Sequence, residues 1–165
     1  MKLSPRLAAI AKHIQPGARV ADIGTDHGLL PVYLALDGAA GAIFASDISA
    51  GPLCAARRSA AKHDLEGRIA FVNAPGLTGL IDADIDTAVI AGMGGETMID
   101  ILAESPWANA RRVRLILQPQ TKVYELSRWL AANGYAIEGA ELVRDRGKDY
   151  TIIVALGEPQ HANNE

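Results

Sequence analysis

A doubly wound α/β fold is what this sequence predicts: a mostly parallel sheet that ends in a C-terminal antiparallel strand pair. Three observations predict it. Short apolar runs alternate with helix-like stretches almost from end to end. The runs are apolar throughout rather than at every second residue, as expected of strands covered on both faces. The 165 residues show no repeat and no linker, so the alternation belongs to one core of ordinary size.

The elements follow in order. Leu7 to Ile14 has apolar positions at helical spacing, with Ser4 as N-cap, Pro5 at the first helical position and Pro16-Gly17 as the stop. Arg19 to Gly24 is a buried strand that runs into a glycine-containing turn. Leu29 to Leu36 is helical and is broken by the stretch from Gly38 to Gly41. Ala42 to Asp47 is the second strand, Pro52 to His63 an alanine-rich helix and Ile69 to Val72 a third strand. Ile85 to Ala91 is the fourth, followed by Gly92-Met93-Gly94-Gly95-Glu96 and a helix from Thr97 to Ala103. Val113 to Leu117 is the fifth strand and Val123 to Asn133 an amphipathic helix stopped by Gly134. Ala136 to Val143 and Tyr150 to Leu156 are joined by the polar turn Asp145-Arg146-Gly147-Lys148, close enough in sequence to pair antiparallel. One domain over 1–157 and a frayed tail over 158–165 are expected.

Composition narrows the function classes. Hydrophobic residues at 49% exclude overall disorder, and no apolar run reaches the roughly 20 residues that span a bilayer. The N-terminus lacks the apolar core of a signal peptide. The single cysteine, Cys54, excludes an internal disulfide and reads as a buried structural thiol. His13, His27, His63 and His161 have no metal-ligand spacing. A cytoplasmic protein fits these features. The net charge of −3 argues against a dedicated nucleic-acid binder without excluding one. The local clusters Arg57, Arg58, Lys62 and Arg111, Arg112, Arg114 read as solvated faces.

In such sheets ligands bind beyond the carboxyl ends of the strands, near the reversal of strand order. That rule selects the loops Gly24 to Pro31, Asp47 to Pro52, Asn73 to Leu77 and Gly92 to Glu96. The first, Asp22-Ile23-Gly24-Thr25-Asp26-His27-Gly28, has glycines for a tight turn and close ligand approach. It is not the dinucleotide G-x-G-x-x-G. Its two carboxylates would repel a pyrophosphate and suit a ligand with an amine and a sulfonium, as in S-adenosyl-L-methionine. The bland alternative is a plain strand–turn–helix connection. Asp47, 25 residues after Asp22, is placed to accept from ribose hydroxyls, a device shared by NAD and S-adenosylmethionine; it could equally cap the next helix. The three glycines of the fourth loop suggest close approach of ligand to backbone, or simply a glycine-rich turn. Cys54 has no flanking base, which disfavours thiolate chemistry of the cytosine C5 type. The Asn-Pro-Pro-Tyr or Asp-Pro-Pro-Tyr segment common in exocyclic amino methylases does not occur.

Several stretches occur together in one order: Leu3 to Leu7, Val20-Ala21-Asp22-Ile23-Gly24-Thr25-Asp26-His27-Gly28-Leu29-Leu30-Pro31, Ser46-Asp47-Ile48 with Gly51-Pro52-Leu53, Ile90 to Gly95, and Leu115 to Pro119. Together they resemble the bacterial tRNA (adenine(22)-N1)-methyltransferases of the TrmK family, from about Leu3 to Leu156. The resemblance implies a Rossmann-like class I methyltransferase fold, S-adenosyl-L-methionine as donor and tRNA as substrate. It implies a donor pocket shaped by Asp22, Gly24, Thr25 and Gly28, with Asp47 on the ribose beside Ile48. Gly76 belongs to the third loop of that pocket, and Gly92, Met93 and Gly94 line the cleft. Asp26 is the implied catalytic or substrate-orienting residue. Where the family usually carries Asp-Gly-Leu after the third strand, this chain has Pro75-Gly76-Leu77. The family usually continues into a helical C-terminal domain, and a short form without it is the expectation here. Other readings compatible with the residues are a methyltransferase for a small molecule or another RNA position, and a non-catalytic S-adenosylmethionine-binding module. Asp26 and the missing G-x-G-x-x-G disfavour an NAD-dependent oxidoreductase.

Overall fold

The computed structural model describes residues 1–159. Of the tail expected over 158–165, residues 160–165 lie outside the described residues. Helices α1 (Pro5–Lys12), α2 (Leu29–Asp37), α3 (Ala50–Ala61), α4 (Gly95–Ala103), α5 (Trp107–Ala110) and α6 (Val123–Ala132) surround seven strands. These are β1 (Arg19–Ile23), β2 (Ala42–Asp47), β3 (Ala70–Asn73), β4 (Thr87–Met93), β5 (Arg114–Pro119), β6 (Tyr135–Asp145) and β7 (Lys148–Gly157). The order is β3-β2-β1-β4-β5-β7-β6. β1 to β5 run parallel, and β7 pairs antiparallel with both β5 and β6.

Successive residues of each central strand enter opposite layers, because strand side chains alternate between faces. Ile23, Ile90, Leu115 and Leu117 face Met98, Leu102, Leu126 and Leu130 of α4 and α6. Val20, Val89 and Ile116 face Ile10, Leu30, Leu34 and Ala60 of α1, α2 and α3. Burial on both faces explains why these strands are apolar without alternation. The edge strand β6 is mostly exposed.

Local chemistry sets the element ends. Ser4 accepts from the Leu7 N–H and Pro5 opens α1, as predicted. The expected β6–β7 turn is a two-residue hairpin in which Arg146 (φ 50°) and Gly147 (φ 77°) are both left-handed, the requirement of a type I′ turn. The four-residue α5 and the short 3₁₀ turns Glu66–Arg68 and Thr78–Leu80 have no periodic signature and were not foreseen. Cys54 corrects its sequence reading: it is exposed, not buried. On α3 the inward positions are Leu53, Ala56 and Ala60, and the residue after Leu53 is turned outward by helical spacing. No helix among the described residues is long and apolar enough to cross a membrane.

Candidate functional site

The chain runs outward from β1 through β2 to β3, then returns to place β4 on the other side of β1. The strand order therefore reverses between β1 and β4, and a cleft of about 660 Å³ opens at the carboxyl ends there. All four loops chosen from the sequence contribute to it. Asp22, Gly24, Thr25 and Asp26 line it from the first loop, Asp47 and Ile48 from the second, Gly76 from the third, and Gly92 and Met93 from the fourth. Gly28 and Gly94 do not line it.

The first loop crosses the end of β2, since the N–H groups of Gly24 and Thr25 both donate to the Ser46 carbonyl, at 2.8 and 3.0 Å. Gly24 has φ +70°, and a Cβ there would overlap Met93 Cε. Glycine at this position suits the left-handed turn, and the flexible end of Met93 fills the space a side chain would take. Gly28 acts from behind the cleft. A Cβ on it would lie 2.8 Å from Ala56 Cβ, so its absence lets the start of α2 close on α3. Asp26 holds φ 56° without being glycine, an uncommon backbone state. Its side chain is exposed in the cleft, with Oδ1 at 3.2 Å from His27 Nδ1.

Asp22 is different in kind, with 7% of its surface exposed. Burial, chiefly, with the nearby carboxylates of Asp47 and Asp26, pushes its carboxyl up to about 7, against a partial offset from Thr25 and Arg6. The Thr25 hydroxyl beside it is buried, and its interaction with the Asp22 carboxylate is the larger part of that offset.

Asp47 stands at the end of β2 with its side chain engaged in the turn that follows. Its Oδ1 accepts from the Ser49 N–H at 2.9 Å, an Asx-type turn leading into α3, while the residue also lines the cleft. Asn73, which sequence reasoning passed over, ties the second loop to the third: its Nδ2 donates to the carbonyls of Asp47 at 3.0 Å and Ile48 at 3.1 Å. The register of β4 on β5 slips between Ala91 and Met93, a bulge at Gly92 (φ +79°) that turns the fourth loop over the cleft.

The sequence also missed one whole wall. Thr97, Asp100 and Ile101 of α4, with Glu104 at its C-terminal cap, line the cleft. Their i, i+3, i+4, i+7 spacing was the available signal. Arg6 and Gln120 line it too. The two basic clusters lie elsewhere and engage locally. Arg57 covers the Phe71 ring at 4.7 Å, Arg111 the Trp107 ring at 5.1 Å, and Arg114 pairs with Glu138 at 2.6 Å.

Comparison with known proteins agrees with this geometry. The methyltransferase-domain family matches residues 3–153. The tRNA (adenine(22)-N(1))-methyltransferase of Bacillus subtilis is 36% identical over 155 residues, covering 94% of this chain and 65% of that protein. The crystal structure of the B. subtilis m1A22 tRNA methyltransferase TrmK superposes with a TM-score of 0.87 at 34% identity, over 94% of this chain and 67% of that one. The chain belongs to the TrmK family. Streptococcus pneumoniae Sp1610, described as a putative tRNA (m1A22) methyltransferase and solved in complex with S-adenosyl-L-methionine, superposes with a TM-score of 0.90 at 30% identity, over 99% of this chain and 77% of that one. The chain thus spans less than two thirds of the length of the B. subtilis tRNA (adenine(22)-N(1))-methyltransferase it matches. The expected Rossmann-like methyltransferase fold is the fold of this family.

Proposed function

We propose that this chain transfers a methyl group from S-adenosyl-L-methionine to N1 of an adenine in tRNA, working in the cytoplasm as one methyltransferase domain over 1–157. The observation that carries the proposal is the set of three carboxylates, Asp22, Asp26 and Asp47, brought into one cleft at the strand reversal.

The residues present fit the donor. A buried carboxyl pushed up to about 7 gains from a cationic neighbour, and the donor brings an ammonium and a sulfonium. Asp47 is the acceptor for ribose hydroxyls. Ile48, 70% exposed on the cleft lip, gives an apolar surface for the adenine. Gly24, Gly76, Gly92 and Met93 shape the walls, and Gly28 and Gly94 support them from behind.

S-adenosylmethionine supplies an electrophilic methyl group on sulfur. N1 of neutral adenine already carries a lone pair, so the protein need not remove a proton before attack. Its task is alignment and stabilisation of the positive charge that develops on the base. Asp26 accepts from the exocyclic amine of the target and supplies that stabilisation. An adenine within a stacked helix must first be extruded, at a cost of a few kcal/mol.

The test uses purified protein, an unmodified tRNA transcript and S-adenosylmethionine, with mass analysis of the nucleosides. Formation of N1-methyladenosine is expected. A different methylated nucleoside, or none from a protein that binds the donor, overturns the substrate assignment. A thermal-shift comparison of S-adenosylmethionine, S-adenosylhomocysteine and NAD tests the donor itself, with stabilisation expected from the first two only.

A further inference from the structure

Two glutamines stand at the carboxyl end of β5, and the fold uses them differently. Gln118 is fully buried: its Oε1 accepts from Arg6 Nη1 at 2.9 Å, and its Nε2 donates to the Pro119 carbonyl at 3.2 Å. Gln120, just past the strand, is exposed and lines the cleft. Among the described residues it is the one carboxamide side chain in that lining, and its amide makes no hydrogen bond to any of them.

The backbone that carries this amide is held firmly. The Gln120 N–H donates to the Met93 carbonyl at 2.8 Å, and the Gly95 N–H donates to the Thr121 carbonyl at 2.9 Å. The loops after β4 and β5 are therefore bonded to each other on either flank of the side chain. A Cβ at Gly95 would stand 2.7 Å from the carbonyl oxygens of Thr121 and Lys122, so glycine is what lets the two backbones close. Gln120 Nε2 lies over the bulge residue Gly92, 3.9 Å from where a Cβ there would stand.

Strand order gives the amide its place in the cleft. Asp47 follows β2 on one side of β1, and Gln120 follows β5 on the other side, beyond β4. A donor whose ribose is held at Asp47 leaves the Gln120 side to the base that is methylated. A carboxamide presents a donor and an acceptor side by side. That pair matches the N6 amine and N7 of adenine, whereas guanine offers two acceptors, O6 and N7, at the same edge. Such a grip uses one hydrogen of the exocyclic amine and leaves the other, beside N1, for Asp26. It places nothing on N1, whose lone pair must stay free to attack.

We propose that Gln120 selects adenine: its Oε1 accepts from the N6 amine and its Nε2 donates to N7, which fixes the base while leaving N1 open. The proposal rests on the adenine-N1 reading above and adds the group that recognises the base.

A cycle of proteins and RNAs tests it. One tRNA transcript is made with ATP and another with 7-deazaadenosine triphosphate, which removes N7 from every adenine. Methylation (kcat/KM) is measured on both, and calorimetry with S-adenosylhomocysteine reports the donor site. Gln120→Ala is expected to be about 10- to 100-fold slower than the parent on the ordinary transcript. Its affinity for S-adenosylhomocysteine should stay within about twofold, which also shows that the cleft still folds. The deaza-to-ordinary rate ratio is expected to be about 5- to 10-fold lower in the parent than in Gln120→Ala, because only the parent has an N–H that loses its partner. Gln120→Glu keeps the shape and the acceptor but not that N–H, and its ratio should match or exceed that of Gln120→Ala. Equal ratios in all three proteins, or a Gln120→Ala variant as fast as the parent, overturn the proposal. So does a loss of S-adenosylhomocysteine affinity that accounts for the slower rate, which would place the amide on the donor. A parent protein that binds S-adenosylhomocysteine yet methylates neither transcript removes the substrate reading and this proposal together, whereas equal ratios remove the proposal alone.

Discussion

Asp26 occupies a left-handed backbone state (φ 56°) inside the cleft, a position where glycine or asparagine would be the easier residue. Aspartate tolerates this state better than most side chains, so its cost to the fold is a fraction of the roughly 1–2 kcal/mol an ordinary residue would bring, and residues held there occur at sites of function. Backbone and carboxylate can be separated by mutation. Asp26→Gly relieves the strain and removes the acceptor, so it is expected to raise Tm slightly while reducing kcat about 10²-fold or more. Asp26→Asn keeps both the backbone tolerance and an acceptor oxygen, and should recover part of the rate. Donor affinity, read by calorimetry, should change little in either variant; an equal loss of donor binding and turnover would merge the two roles. Asp47 gives the converse. Asp47→Asn retains the acceptor that holds the Ser49 N–H at 2.9 Å, so the turn into α3 survives. The lost charge is expected to weaken donor binding about tenfold with Tm nearly unchanged.

At the scale of elements, Gly28 shows how a residue can shape a site without lining it. Gly28→Ala brings a Cβ within 2.8 Å of Ala56 Cβ on a backbone with φ +72°. The left-handed conformation costs about 1–2 kcal/mol, and the overlap between α2 and α3 about 1–3 kcal/mol more. A lowered Tm is expected, with donor affinity at low temperature retained far better than stability. Loss of donor binding in a still-folded variant would instead make Gly28 a direct ligand contact. The same contrast explains what the sequence could reveal. The strands and longer helices were legible because burial on both faces leaves uninterrupted apolar runs, and the four loops followed from topology. Gly24 and Asp47 could be placed in the cleft because a turn and a strand end dictate where they stand. The α4 wall was not picked out, since Asp100 and Glu104 share their spacing with any exposed helix face until the third loop is seen packed there, where a Cβ on Gly76 would lie 3.0 Å from Ile101 Cγ2. Asn73 and Arg6 were missed for a related reason: their partners lie 25 or more residues away in the chain. The outward turn of Cys54 was readable in principle from the spacing of Leu53, Ala56 and Ala60.

For the whole molecule, the strand reversal that creates the cleft also buries Asp22, and stability and donor binding then pull that residue in opposite directions. Its carboxyl is pushed from 3.8 to about 7, mainly by burial. Below about pH 3.8 it is protonated in folded and unfolded chains alike, and the fold bears no penalty from it. As pH rises from there toward 7 the unfolded chain releases the proton while the folded chain keeps it, so this contribution to stability declines and is exhausted above about 7. The full difference is on the order of 4 kcal/mol. Asp22→Asn imitates the protonated form and cannot ionise. Its Tm should therefore exceed that of the parent by an increment that grows from pH 4 to about 7 and is constant above. A cationic donor reverses the preference, because it favours the ionised carboxylate. The parent's affinity for S-adenosylhomocysteine should rise between pH 6 and 8, with a proton released on binding that calorimetry detects in buffers of different ionisation enthalpy. Asp22→Asn should bind more weakly and show neither the rise nor the release. A Tm difference between the two proteins that does not vary with pH, together with proton release that persists in the variant, would move the titrating group away from Asp22. The expected pairing of greater stability with weaker binding would mark the acid as one retained for its ligand at the expense of the fold.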